Sequence, residues 1–537
     1  MMQGQPIFIL KEGTERTKGK DALSNNIAAA RAIAESIRTA LGPRGLDKML
    51  TDNFGDVTIT NDGATILKEM DVAHPVAKFI VELAKSQDDE VGDGTTSVVV
   101  LAGELLKMAE TLIDENVHPS VIVEGYRIAA EEAQKYLDTI STTIKPNDKA
   151  SLMKIAKTAL GSKLISTNGD SLTGVIVDSI LAVAQGNHVD LDDIKVEKKT
   201  GGSLNDTELI EGIVLDKEMV HPAMPTTIED AKIALVEEAL ELSKTEFDAE
   251  LTISSPNQIK TFLDRETEMI KEMVDFVKKS GANFLVCSKG IDDVAQHLLA
   301  KAGIAAVRRV KKSDMEKLAK ATGGKLVSRL SDLAPDELGT AGHIYQKTVA
   351  DDKMVFVTEC PHAKSVTILI RGGTELVIDE ADRAIHDALC VVRNVVKDGR
   401  IVNGGGSPEM AISAHLKTFA DTLSGREQIA VKNFAEALEV IPRTLAENTG
   451  LDPIDIMAEL RKAGIGFGVD PINRKVADFR KLSVVEPASV KRQAISSAAE
   501  AAQMILRIDD VISAKDLGGG APGAGGPGGP GGDEDFD

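Results

Sequence analysis

The stretch with the most chemical content is Gly92-Asp93-Gly94-Thr95-Thr96-Ser97. Its glycines let backbone approach an anion, and its hydroxyls and first helical amides can donate to one. Asp93 adds a carboxylate of the kind that holds Mg²⁺ beside phosphate. On its own the same stretch also reads as a polar helix cap. No Gly-Lys pair is followed by Ser or Thr, so a P-loop is absent and any nucleotide site is of another kind. Asp387 is the second candidate. It lies about 80° from the centre of a helical stripe made of Val377, Ala381, Ala384, Ala388, Val391 and Val395, which predicts a half-buried carboxylate between core and solvent. A solvated helix flank has the same pattern, and Asp62, in Asn61-Asp62-Gly63, reads on pattern alone as a turn former.

These residues need elements to position them. Ile27, Ala30, Ala34, Ile37 and Leu41 predict a buried helix starting at Ser24 and stopped by Gly42-Pro43. Val57–Thr60 reads as a short strand, and Val98, Leu101, Leu105, Met108 and Leu112 predict a helix opened directly by the Gly92–Ser97 loop. The middle of the chain changes to short β-like runs at 213–215, 233–236 and 283–287 among helices, an α/β pattern. There Ile259, Phe262, Leu263, Ile270, Met273, Phe276 and Val277 mark one long amphipathic helix from Pro256 to Gly281, with a loose tip before it. Val366–Ile370 reads as a strand, the Asp387 helix runs from about Thr374 to Lys397, and helices resume after Gly406 to about Ile512. The last residues, from Gly518, are Gly/Pro-rich and acidic and predict disorder.

Composition excludes several classes. At roughly 150 residues per domain, 537 residues suggest about three or four domains. Aromatics are 3% with no Trp, so the cores must be aliphatic. The net charge of −22 repels phosphate backbones and anionic lipid. The one basic cluster, Arg308-Arg309-Val-Lys311-Lys312, precedes an expected Ser313/Glu316 capping box, so it reads as a surface strand leading into a helix. Cys287, Cys360 and Cys390 lie far apart, and histidines such as His297, His343, His362 and His386 show no paired ligand spacing, so no structural zinc is expected. No run is long and apolar enough for a membrane helix or a signal core, and a cytoplasmic location is expected.

Leu41-Gly-Pro-Arg-Gly45, Asp47-Lys-Met-Leu50, Thr60-Asn-Asp-Gly63, Gly92-Asp-Gly-Thr-Thr96, Gly404-Gly-Gly406 and Leu445-Ala-Glu-Asn448 stand in the order and spacing of chaperonins. The chain to about Leu517 resembles the group II class, the archaeal thermosome and its eukaryotic cytosolic relatives. That resemblance implies the multi-domain chaperonin fold: a mostly α-helical equatorial ATP-binding domain (1–145 and 403–517), a small α/β intermediate hinge domain (146–217 and 369–402), and an α/β apical domain (218–368). A helical protrusion at about 246–280 would act as a built-in lid, and 518–537 would be a disordered tail.

It also implies roles. Asp387 is similar to the catalytic Asp that orients or deprotonates the attacking water, and Asp62 to a second acid near the γ-phosphate. Asp93 resembles the Mg²⁺ ligand, with Gly94, Thr95, Thr96 and Ser97 round the phosphates of ATP or ADP. Leu41, Gly42 and Pro43 resemble the turn over the nucleotide, Gly405 the close approach to the ribose, Glu486 a carboxylate near the ribose hydroxyls, and Lys163 a γ-phosphate-sensing lysine. The implied activity is ATP-driven folding of non-native proteins inside back-to-back eightfold rings of about sixteen subunits, with or without paralogues. No separate co-chaperonin lid, nucleic acid or membrane partner is expected. The competing readings are a small-molecule kinase using the same Mg-ATP cradle and a non-catalytic ring scaffold; the intact Asp62, Asp93 and Asp387 set argues against the scaffold.

Overall fold

The computed structural model describes residues 14–52, 54–161, 163, 169–242, 256–361 and 365–514. The expected lid tip before Pro256, the Gly/Pro tail and His362 fall outside them. The aliphatic composition resolves into three main hydrophobic cores. The first joins both ends of the chain. The long helices Gly19–Arg38, Pro75–Val91, Thr95–Asp114 and Pro119–Ile140 pack with Ser407–Ala420, Glu427–Leu438, Val440–Thr449 and Ala488–Leu506. Strands Thr14–Lys18 and Asp510–Ala514 pair antiparallel, so the two ends are tied by hydrogen bonds as well as by burial.

The second core covers a seven-stranded mixed sheet in the order Ala305–Val307, Phe284–Cys287, Thr227–Val236, Gly339–Val349, Asp352–Thr358 and Gly212–Leu215, with Leu326–Val327 beside Thr227–Val236. The third is smaller. Strands Ile194–Thr200, Val366–Gly372 and Glu208–Ile210 form a sheet packed on helices Lys149–Leu160, Gly169–Val183 and Glu375–Asp398. Second and third cores are stitched by polar contacts. The Thr367 hydroxyl donates to the Gly212 carbonyl at 2.8 Å, and the buried Lys195 ammonium donates to the Val214 carbonyl at 2.7 Å and pairs with Asp314 at 3.0 Å.

Several local expectations shift. The first helix starts at Gly19 rather than Ser24 and ends at Arg38, before Gly42-Pro43. Ser313 forms no capping box, because the helix Lys312–Thr322 begins two residues earlier than that cap requires and its N-cap is Lys311. In the helix Pro256–Ser280, Ile270 and Val277 of the expected stripe are buried and Met273 is half-buried but Phe276 is exposed, so the stripe is narrower there than the sequence suggests. The region after Gly406 is also less uniformly helical: strands Phe467–Asp470, Lys475–Asp478 and Val485–Pro487 interrupt it.

Candidate active site

The Gly92–Ser97 loop falls where the sequence puts it, between the end of helix Pro75–Val91 and the start of helix Thr95–Asp114. Gly92 and Gly94 both have positive φ, which turns the chain sharply enough to place Asp93 at the turn's apex. The Asp93 carboxylate accepts from the Gly94 amide at 2.6 Å, and the buried Gln87 amide donates to the Asp93 carbonyl at 2.9 Å. As N-cap, Gly94 brings no side-chain acceptor to the first turn, which leaves that helix end suited to an anion.

Asp62 caps the short helix Gly63–Glu69 instead of forming a simple turn. Its carboxylate accepts from the Thr65 amide and hydroxyl, both at 2.8 Å, and from the Thr95 hydroxyl at 3.2 Å. Asp62 and the anion-suited helix end are thereby joined.

Asp387 is the main correction to the sequence reading. It is 7% exposed, fully buried rather than half-buried, because the flank of the helix Glu375–Asp398 that periodicity assigns to solvent docks on the first core. Asn394 donates to the Val91 carbonyl at 2.8 Å, Arg393 to the Glu90 carbonyl at 3.3 Å and Arg383 to the Ile59 carbonyl at 3.4 Å. Cys390 presses on the loop itself: a Cβ added at Gly92, whose φ is +67°, would lie 2.2 Å from the Cys390 Cβ. Burial pushes the Cys390 thiol up to about 12, so it serves as packing.

Lys163 closes the constellation. Its ammonium lies 2.7 Å from Asp387 Oδ2 and 3.8 Å from Asp62 Oδ1, and all three side chains are buried. Burial raises the Asp387 carboxyl well above the ordinary range; Lys163 opposes this, while Asp62 and Asp93 add to it. Burial pushes Asp62 the same way, but Lys163 and the bonds from Thr65 and Thr95 outweigh it and hold Asp62 low. Burial would discharge Lys163, yet Asp387 and Asp62 keep it protonated beyond the usual lysine range. With one cation among several acids, Asp387 is the carboxyl whose burial most favours taking up a proton.

The other expected residues have internal contacts of their own. Leu41 is buried and its carbonyl accepts from the Asn448 amide at 2.9 Å; Gly42 packs against Leu445, which leads into Pro43. Thr95 and Thr96 are buried and Ser97 is half-buried. Gly405 has φ +68°, and a Cβ there would strike the Phe479 ring at 2.2 Å, so an internal contact already demands glycine. Glu486 is bound to Lys491 at 2.6 Å, and Lys491 also pairs with the buried Glu409 at 3.0 Å.

Sequence reasoning missed Gln87, Asn394, Glu409, Lys491 and Asp88. Asp88 is raised by burial and by Asp62, with His386 opposing. Asp88 opens the acidic run Asp88-Asp89-Glu90 just before the glycine loop, a signal that could have found it, whereas only a three-dimensional contact marks the other four.

Among the described residues, no group of three or more His, Cys, Asp or Glu could hold a metal unaided. The donor set still suits Mg²⁺, which takes one or two carboxylates and completes its shell with water and phosphate oxygens. Asp93, fixed at the mouth of an uncapped helix, is such a carboxylate.

Residues 33–516 match the TCP-1/cpn60 chaperonin family model. The chain is 54% identical over 524 residues to a thermosome subunit of Pyrococcus abyssi, covering 96% of this chain and 95% of that protein. It is 52% identical over 527 residues to the thermosome subunit beta of Methanothermobacter thermautotrophicus, covering 97% and 98%. It is 53% identical over 524 residues to the thermosome subunit alpha of Archaeoglobus fulgidus, covering 96% of each. Motifs in the right order, a helix mouth with no side-chain cap beside Asp93 and full-length similarity to thermosome subunits agree, and the chain belongs to the TCP-1/cpn60 chaperonin family, as a group II chaperonin.

Proposed function

We propose that this protein is an ATP-hydrolysing subunit of a double-ring chaperonin that encloses non-native proteins, its lid closing as the nucleotide is cleaved. The observation that carries the proposal is the meeting of Asp62, Lys163 and Asp387, which come from three remote segments, beside the Asp93 loop. In this reading the first core is the equatorial ATP-binding domain, the third the intermediate hinge and the second the apical domain, with the helix Pro256–Ser280 part of a built-in lid.

The first turn of the helix Thr95–Asp114, with the hydroxyls of Thr95, Thr96 and Ser97, would receive the phosphates, and Asp93 would hold Mg²⁺. The metal would supply neutralisation of charge on the phosphate oxygens. Asp387 orients the attacking water and takes its proton, Asp62 anchors the γ-phosphate side, and Lys163 fixes Asp387 and senses the terminal phosphate. Leu41, Gly42, Pro43 and Gly405 shape the pocket round ATP or ADP, and Glu486 faces the sugar.

Coupling follows from where these groups are rooted. Asp62 and Asp93 belong to the first core, while Lys163 and Asp387 belong to the third, so the hydrolytic set is complete only when the two are docked. The Lys195–Asp314 and Thr367–Gly212 contacts would carry that docking to the client-binding domain. Self-association is favoured by the hairpin Lys48–Thr51/Val57–Thr60, which exposes Met49 and Phe54, the latter at 92%, with Leu46 exposed just before it. A closed chamber in the cytoplasm would keep clients from colliding and aggregating.

Native mass spectrometry with ATP, followed by turnover, tests the reading. A particle many times 57.0 kDa that hydrolyses ATP is expected. A single-chain peak would remove the ring and favour a small kinase; a ring without turnover would leave only a scaffold.

A further inference from the structure

The second buried charge cluster, Glu409, Lys491 and Glu486, is absent from any motif that points to the nucleotide except through Glu486. The Lys491 ammonium bridges Glu486 Oε2 at 2.6 Å and Glu409 Oε1 at 3.0 Å. Exposure rises in one direction across it. The Glu409 and Lys491 side chains are 5% and 10% exposed, while Glu486 is 26% exposed. Glu409 Oε2 is a buried oxygen with no hydrogen-bond partner. Two carboxylates against one ammonium leave a net negative charge, and the only end that reaches water is Glu486.

The surroundings hold that end still. Strand Val485–Pro487 pairs with Arg400–Asn403, with Glu486 opposite Val402, and a Cβ on Gly404 would sit 2.9 Å from Glu486 Oε1. The triple-glycine turn thus lies directly over the carboxylate. Burial pushes the Glu486 carboxyl up, Lys491 pulls it back, and Glu409 pushes it up again. Lys491 is itself held protonated by Glu409 and Glu486 against the burial that would discharge it. Removing the ammonium would leave the buried Glu409 carboxylate uncompensated beside the partly exposed Glu486, which favours protonation of one of them. A protonated or swung Glu486 is a poorer acceptor for hydroxyl groups.

We infer that Lys491 is a positioning residue for nucleotide recognition: clamped by Glu409 behind it, it holds Glu486 ionised and aimed at the vicinal hydroxyls of the nucleotide's sugar. This rests on the assignment of Glu486 to the sugar side of the site, and deepens it. The clamp acts on affinity for the sugar and leaves the Asp62–Lys163–Asp387 chemistry in place.

The test is steady-state turnover of the assembled protein with ATP and with 2′,3′-dideoxy-ATP, which lacks both hydroxyls. Wild type is expected to show a KM for ATP about tenfold below that for the dideoxy nucleotide. Lys491→Met should raise the KM for ATP to the dideoxy value, leave the dideoxy KM within about twofold, and lower kcat less than about threefold; Lys491→Arg should restore discrimination. If Lys491→Met does not fold, Glu409→Gln/Lys491→Met removes the stranded charge and is read in its place. An equal rise in KM for both nucleotides, or undiminished discrimination, overturns the inference. Glu486→Gln separates the two layers. If Glu486→Gln abolishes discrimination and the lysine variants keep it, only the clamp fails. If wild type and Glu486→Gln alike do not discriminate, the sugar assignment fails and takes the clamp with it.

Discussion

Two buried clusters in this protein share one formula, a lysine held between two carboxylates, and differ in what they are built from. Asp62–Lys163–Asp387 is assembled across two cores: the Asp62 helix packs into the first, and the segments bearing Lys163 and Asp387 pack into the third. In Glu409–Lys491–Glu486 the inner pair stands on two helices of the first core and Glu486 runs directly through Pro487 into the helix that carries Lys491, although Val485 beside it packs on the third core. A charge cluster shared between separately packed bodies can come apart as a unit; one whose lysine and inner carboxylate stand on a single body keeps that pair whatever the other body does. The first arrangement suits chemistry that must be switched by movement, the second suits a fixed recognition surface.

The largest expected effect breaks the first cluster at its base. Asp387→Ala should bind ATP yet lose hydrolysis by about 10²- to 10⁴-fold, measured as single-turnover cleavage, because proton transfer loses its acceptor. Unchanged turnover would remove Asp387 from the mechanism. Next comes stability. Lys491→Met should cost about 3–5 kcal/mol in nucleotide-free thermal unfolding, the penalty for stranding a buried carboxylate. Lys163→Met should cost nearer 1 kcal/mol, since undocking lets water reach Asp62 and Asp387 as it would an exposed pair. Equal losses would show the two clusters to be equally rigid.

A smaller effect should come from Gly92→Ala, which combines a left-handed backbone with a methyl 2.2 Å from Cys390. A loss of about 1–3 kcal/mol is expected. It should be accompanied by faster hydrogen exchange at the docked helix Glu375–Asp398, with the Lys491 helix unaffected. The smallest concerns pH. Burial keeps a proton on Asp387 to higher pH than on an ordinary carboxylate, so ionised Asp387 is lost as pH falls through that raised value. The acid limb of kcat should therefore lie above the usual carboxylate range. In Lys163→Met it should move higher still, because the opposing cation is gone. An acid limb within the ordinary range would contradict this placement of Asp387.

Much of the site was legible in the residues, though unevenly. Gly92–Ser97 declared a turn into a helix mouth, and Asp62 stood two residues after a readable strand; both depend on neighbours in sequence. Asp387 was legible as a carboxylate beside an apolar stripe, but its depth was not. The middle strands were legible from apolar runs, whereas the short strands after Gly406 were hidden among helical patterns. The capping box expected at Ser313 failed because helix boundaries answer to packing as well as to side-chain type.

What the sequence alone determined was therefore local: aliphatic cores, an anion-suited helix end, no P-loop, and a set of motifs whose order carries the chaperonin resemblance. What only the tertiary structure decided was which lysine meets which acid, and how far each is from water. Periodicity reports the face a helix gives to its own core and is silent about a second body docking on the other flank. Asn394 reaching Val91, Arg383 reaching Ile59 and Lys163 reaching Asp62 are contacts of that second kind.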